Sequence, residues 1–488
     1  MSATPALAAS VMDCSVYAKG LFIGGQWRPG RGIEVINPSD ETVLAKVPDA
    51  SIEDGIAAID AAEAAAKGWR TTAPRKRAEI LRRCFELMVA HAEELATLIS
   101  LENGKSLADA RGEIAYAAEF FRWYSEEAVR IAGEYRMAPA GTNRILVEYQ
   151  PIGIAVLITP WNFPAAMATR KIAPALAAGC TVVLKPASET PLTAYALAEL
   201  YAEAGVPAGV VNVITTLQPG PVINRMLADP RVRKLSFTGS TGVGRALLAE
   251  AAKTVLNCSM ELGGNAPFVV FDDADLNAAL DGAMIAKMRN AGEACTAANR
   301  FIVQSGIHDR FVAGLVERMG ALRMGPGTDP TTDCGPMISG KAVDKIERLV
   351  ADAVSGGARV ELGGLRPSRQ GYYYPPTVLT RVSPAAEMAA EEIFGPVASV
   401  YRFDTEDEAI SLANDTEFGL SAYVFTGDLK RGLRVCGEIE AGMVGLNRGL
   451  VSDPAAPFGG VKQSGLGREG GIHGVLEYME AKYVAVAF

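Results

Sequence analysis

Cys295 lies in the run NAGEACTAANR (residues 290–300), between small residues, after a helical pattern and before the apolar run FIVQ. A cysteine held in such an open turn is either a small core residue or a nucleophile, and a nucleophilic thiol usually needs a base nearby. The chain has three histidines, His91, His308 and His473, far apart in sequence and expected on surface helices or loops, so the base is not expected to be histidine. Glu261, in MELGGNAP, presents a carboxylate at a strand end before paired glycines. Asn162, in WNFP, carries an amide that suits either an oxyanion or the cap of the next helix. FTGSTGVG (Phe237–Gly244) is a glycine-rich strand–helix turn with GxxGxG spacing, which differs from the GxGxxG dinucleotide fingerprint but suits a phosphate or a tight turn. In LKPAS, Lys185 ends a strand, and Ser188 stands where a carboxylate would repel a ribose 2′-phosphate, although Glu189 follows it directly.

These residues need a scaffold. At 488 residues the chain exceeds one core, and its 49% hydrophobic and 21% charged residues are those of a soluble globular protein. A net charge of −9 provides no electrostatic footprint for nucleic acid or an anionic membrane. The start, MSATPALAASVMDC, lacks the basic residues of a secretory signal, and the longest apolar region is broken by Pro160, Asn162 and Pro164, so a cytoplasmic protein without a membrane span is expected. Seven scattered cysteines without CxxC spacing suggest neither a disulfide framework nor a metal site.

Residues 20–48 read as a short β-ribbon and residues 51–133 as helices. From Pro151, four apolar strand runs, GIAVLIT, TVVLK, GVVNVIT and RKLSF, alternate with helical patterns, which predicts a parallel sheet buried on both faces. Ligands bind beyond the carboxyl ends of such strands. A second strand–helix series follows Cys258 and ends near Gly460. The alternating tail in VLEYMEAKYVAVAF could pair with RILVEYQ (residues 144–150), across a subunit boundary.

Taken together, KPASETP, RKLSFTGST, ELGGNAPFVVFDDADL and PFGGVKQSGLGREGG resemble the aldehyde dehydrogenase superfamily from about Gly20 to Phe488, closest to its succinate-semialdehyde branch. The resemblance implies two parallel-sheet α/β domains, one for the cofactor (1–126 and 148–258) and one carrying the nucleophile (259–460). It adds a small β arm with the C-terminal strand (127–147 and 461–488), which joins subunits into a homodimer or homotetramer. Matched to the family pattern, Cys295 is the nucleophile, Asn162 an oxyanion donor and Glu261 the base that activates water, which argues against transfer of the acyl group to a thiol such as CoA. Trp161, Lys185, Ser188 and Ser240 would hold the adenosine half and pyrophosphate of NAD or NADP, with Glu392 and Phe394 at the nicotinamide end.

The succinate-semialdehyde branch has arginines at the places of Arg170 and Arg289 and a loop serine at that of Ser452, so the resemblance implies that these three clamp the far anionic group of a small aldehyde, whereas Arg448 is an added cation not typical of the branch that could accept a sulfonate. Succinate semialdehyde is the leading substrate, with sulfolactaldehyde, glutarate semialdehyde and 2-oxoglutarate semialdehyde as alternatives. A non-catalytic binding protein on the same fold should have lost Cys295, Glu261, Asn162 or Glu392, and all four are present. Two departures stand out. The loop TTLQPG (residues 215–220) lacks the usual glycine after VIT, which loosens the inference of cofactor preference, and Ala297 replaces a second cysteine that some relatives use as a redox partner, so no vicinal disulfide is expected.

Overall fold

The computed structural model describes residues 12–30 and 32–487, so the reading of residues 1–11 as lacking a secretory signal lies outside the described residues. Among the described residues, two large sheets and a three-stranded sheet organise the chain, beside two two-stranded ribbons. In the first, Val211–Val213, Thr181–Lys185, Ile154–Ile158, Val232–Thr238 and Asn257–Glu261 run parallel, in that spatial order. All five residues of Ile154–Ile158 are buried, as are all five of Thr181–Lys185, so the continuous apolar runs reflect helices packed on both faces. The hairpin Leu21–Ile23 and Gln26–Arg28 extends one edge, and the two residues Gly465–Leu466 pair antiparallel with Asn257–Glu261 at the other. The strand Asn257–Glu261 therefore crosses the division anticipated at residue 258.

The second sheet runs Arg359–Leu362, Thr377–Thr380, Val397–Phe403, Ala298–Gln304, Ala266–Val270, Ser421–Phe425 and Met443–Leu446. All its neighbours are parallel except the first pair. In the third sheet, Met479–Val486 pairs antiparallel with Arg144–Pro151 through an eight-residue register, and Glu134–Met137 forms the other edge. The C-terminal strand thus pairs with the arm of its own chain.

The helical region before the first sheet does more than cover it. Pro164–Ala178 and Pro191–Glu203 both begin with proline and have no side-chain cap of their own, although their first turns are buried. Buried amides without acceptors are costly, so the acceptors come from far along the chain. Glu113, in helix Leu107–Glu127, accepts from the Ala165 and Ala166 amides at 2.8 and 3.2 Å. Glu102, in helix Ala92–Asn103, accepts from the Leu192 and Thr193 amides at 2.8 and 2.9 Å. Burial pushes the Glu102 carboxyl up to about 7, against the pull of those donors. Lys105, as buried as Glu113, donates to it at 2.6 Å. Replacing Glu113 with Ala removes a cap and strands a buried ammonium, which should cost about 3–5 kcal/mol. Denaturant unfolding would read that loss, and a wild-type transition midpoint would contradict this account of the helix start.

Candidate active site

Helix Leu276–Met288 ends just before Arg289, and Asn290 and Ala291 then adopt left-handed conformations with φ 52° and 50°. Gly292 follows at φ 79°, and a Cβ there would lie 2.2 Å from the Gly395 carbonyl oxygen, so only glycine permits this approach. The turn delivers Cys295 into a half-buried position before strand Ala298–Gln304. There it packs beside the apolar cluster of Leu420, Met443 and Phe458, with Val451. Burial pushes the thiol up to about 12; Arg170 opposes this, the Glu392 and Glu261 carboxyls add to it, and Arg289 opposes it again. The Cys295 backbone N–H has no acceptor among the described residues. Asn162, on the turn after strand Ile154–Ile158, donates one N–H of its amide to the Glu293 carbonyl at 3.0 Å and so ties its turn to the nucleophile's. The second N–H of the same amide remains available.

Glu261 ends strand Asn257–Glu261 and is only 3% exposed. Neither carboxyl oxygen has a hydrogen-bond partner among the described residues. Burial first, and then the nearby Glu469 carboxylate, holds Glu261 well above the usual carboxylate range, against Lys171, Arg170 and Arg468. Glu469 is itself buried, accepting from Lys171 Nζ at 2.6 Å and from Arg170 Nη1 at 3.4 Å. Lys171 also donates to Ser236 Oγ at 2.9 Å. A carboxyl of this kind can take a proton from water.

The arginines occupy different surroundings. Arg170 is 2% exposed; besides Glu469, it donates to the Tyr116 hydroxyl at 2.7 Å and lies 4.0 Å from the Phe458 ring centre. Arg289 is half-buried, lies 5.1 Å from the Phe163 ring centre and has neither a hydrogen bond nor an ion pair among the described residues. Ser452 follows Val451 of the Cys295 cluster and is half-buried. Arg448 is exposed, with its Nε donating to the Leu450 carbonyl at 2.8 Å.

A groove of about 470 Å³ brings Ser240 and Glu392 together, with Thr241, Gly263, Lys345 and Phe418. Ser240 sits at the start of helix Thr241–Ala251, whose first amides point out of the helix end without a side-chain cap. A Cβ on Gly263 would lie 3.2 Å from Glu392 Oε2 and 3.3 Å from Thr241 Oγ1, so glycine keeps the groove floor clear. Helix amides above a clear floor fit a dinucleotide's phosphates. Glu392 accepts from the Gly264 N–H at 3.2 Å, and burial pushes it up to about 7 against that donor, Lys345 and Lys287. Phe394, at φ 56°, meets Trp161 edge-on with 5.4 Å between ring centres. Lys185 ends strand Thr181–Lys185, Ser188 follows three residues later, and neither lines this groove. Burial pulls the Lys185 ammonium down, against Glu189, and Ser188 donates to Glu189 at 3.2 Å. In the TTLQPG loop, the Leu217 N–H donates to Asp49 at 2.9 Å.

Lys171, Glu469, Tyr116 and Phe458 were not singled out from the sequence. An adjacent Arg170–Lys171 pair inside the small, apolar helix Pro164–Ala178 was the available signal, because two such charges cannot be buried without an acid.

Residues 27–484 match the Aldehyde dehydrogenase family. A succinate-semialdehyde dehydrogenase of Paenarthrobacter nicotinovorans is 56% identical over 445 residues, 91% of this chain and 99% of that protein. A 3-sulfolactaldehyde dehydrogenase of Pseudomonas putida is 47% identical over 97% of this chain and 98% of its own. The crystal structure of an NADP-dependent enzyme from Escherichia coli superposes with a TM-score of 0.96 at 49% identity, covering 98% of this chain and 99% of that one. With its whole catalytic scaffold matched in sequence and in three dimensions, the chain belongs to the aldehyde dehydrogenase family.

Proposed function

We propose that the protein oxidises a short aldehyde bearing a terminal anion to the corresponding acid, using NAD or NADP, with succinate semialdehyde as the substrate. The observation that carries this reading is Arg289, a half-buried cation without an ion pair among the described residues, acting electrostatically on Cys295 beside Arg170. A guanidinium in that setting suits an oxyacid.

In the proposed reaction the Cys295 thiol gives its proton to solvent, the Arg170 and Arg289 charges favouring the thiolate, which attacks the aldehyde carbon so that the carbonyl oxygen becomes an oxyanion. The second N–H of the Asn162 amide and the Cys295 backbone N–H stabilise it, each such donor being worth about 3–4 kcal/mol of barrier. A bound nicotinamide would supply the acceptor for the hydride that leaves that carbon. Ser240 would hold its phosphates, with Trp161, Lys185 and Ser188 toward its adenosine half, and Glu392 and Phe394 would position its other end. Collapse leaves a thioester on Cys295. Glu261 then takes a proton from water, the hydroxide attacks the thioester carbon, and the acid departs as the thiolate is regenerated. Burial first, and then the Glu469 carboxylate held by Lys171 and Arg170, keeps Glu261 basic enough for that step.

On this reading the unit built from residues 1–126 and 148–258 binds the cofactor and 259–460 carries the nucleophile. The segments 127–147 and 461–488 join subunits into a homodimer or homotetramer. Tyr135 and Met137 on one edge of the arm sheet, and Tyr483, Val484 and Val486 on the other, are exposed apolar side chains that support an interface. Sedimentation of the purified protein as a monomer would contradict the assembly. We place the protein in the cytoplasm, supported by seven free thiols and by the lack of any helix among the described residues long and apolar enough to cross a membrane.

Initial rates with succinate semialdehyde and 3-sulfolactaldehyde, each with NAD+ and with NADP+, test the substrate. The carboxylate substrate should win, and Arg289→Met should raise its KM by about 10–100-fold, the worth of a charge-assisted hydrogen bond, while the KM of a neutral short aldehyde stays unchanged. Preference for the sulfonate would instead assign Arg448 to the anion site. An equal loss for charged and neutral aldehydes would remove the clamp from this account.

A further inference from the structure

The turn that carries Asn162 is gripped from behind by two buried side chains. Lys105 Nζ donates to the Asn162 carbonyl at 2.7 Å, and Asn290 Nδ2 donates to the same oxygen at 2.8 Å. Asn290 Nδ2 also donates to the Glu293 carbonyl at 3.0 Å. That second oxygen is the one that accepts from Asn162 Nδ2, also at 3.0 Å. The four bonds interlock. Asn290 links the backbone of the Asn162 turn to the backbone of the Cys295 turn, and the Asn162 side chain links them back.

The two turns come from different sheets, since Asn162 follows a strand of the first and Cys295 precedes a strand of the second. An oxyanion site built from both therefore needs a spacer across the junction. Asn290 suits that task, because its two amide hydrogens diverge at a fixed angle and each finds a carbonyl on a different turn. Its left-handed backbone, φ 52°, is one that asparagine adopts more readily than most residues. The Asp109 carboxylate accepts its backbone N–H at 3.0 Å and fixes the kink from a third direction.

We propose that Asn290 is a positioning residue that sets the separation of the two oxyanion donors, the Asn162 amide and the Cys295 N–H. This rests on the roles proposed above for those donors. Lys105 anchors the same carbonyl from the helical region, so the Asn162 turn is held on both sides.

Asn290→Gly tests this, because glycine keeps the left-handed backbone and removes only the amide. A displacement of about 1 Å can cost on the order of 100-fold in rate, so kcat should fall by about that factor. The KM for the aldehyde and the affinity for the cofactor, read by quenching of protein fluorescence, should stay at wild-type values. A merely structural role would not give that split. In an Asn162→Ala background the same substitution should cost little more, since the turn it positions then has no donor left. Asn290→Asp, which retains size and left-handed preference but presents oxygens to both carbonyls, serves as the second variant and should also lose kcat. Wild-type kcat in Asn290→Gly, a full additional loss in the Asn162→Ala background, or failure of both Asn290 variants to fold would each overturn the proposal. Inactivity of the unaltered protein toward every anionic aldehyde would defeat the functional reading itself, and it would be seen before any substitution was made.

Discussion

A charge taken out of water must find its counter-charge inside the protein, and that constraint shapes the junction between the two large sheets. Glu469 meets it with Lys171 and Arg170. Glu113 meets it with Lys105 and a helix start. Glu261 does not meet it, because both its oxygens lack partners among the described residues, and its carboxyl rises well above the ordinary range as a result. Each satisfied carboxylate fixes a piece of backbone or an ammonium, and the unsatisfied one is left with a free, basic oxygen where the proposed chemistry needs it.

Leu420, Met443, Phe458 and Val451 keep the surroundings of Cys295 apolar, which strengthens every charge that remains there. Arg170 and Arg289 both favour the thiolate, yet they differ in freedom. Arg170 is engaged by Glu469, Tyr116 and the Phe458 ring, so its charge serves the proposed base as well as any anion. Among the described residues Arg289 has a ring contact but no hydrogen bond or ion pair, and it is the cation better placed to take a new partner.

Much of the first sheet was legible in sequence, because runs such as GIAVLIT are apolar throughout, and only a strand buried on both faces reads that way. Cys295, Glu261, Asn162 and Glu392 were visible by family resemblance, and the structure gathers the first three at the junction and sets Glu392 in the adjoining groove. The supports were not legible. Nothing local marks Glu102 or Glu113 as caps, since the helices they serve lie 90 and 52 residues away. The left-handed turn at Asn290 and Ala291 is imposed by tertiary contacts that no periodicity records. Alternation in the tail announced an arm strand but could not say whose arm it would join, and the answer is its own chain's. The GxxGxG turn was ambiguous alone, and it gains meaning from Glu392, more than 140 residues later and across the same groove.

The central claim is that an acyl group passes through Cys295 and leaves by water that Glu261 activates. Its most direct test is to mix the Glu261→Gln protein with succinate semialdehyde and oxidised cofactor, then map adducts by peptide mass spectrometry. This account predicts one equivalent of reduced cofactor per active site and a stable succinyl adduct on the peptide containing Cys295. Undiminished turnover, or reduced cofactor without any adduct on Cys295, would contradict it.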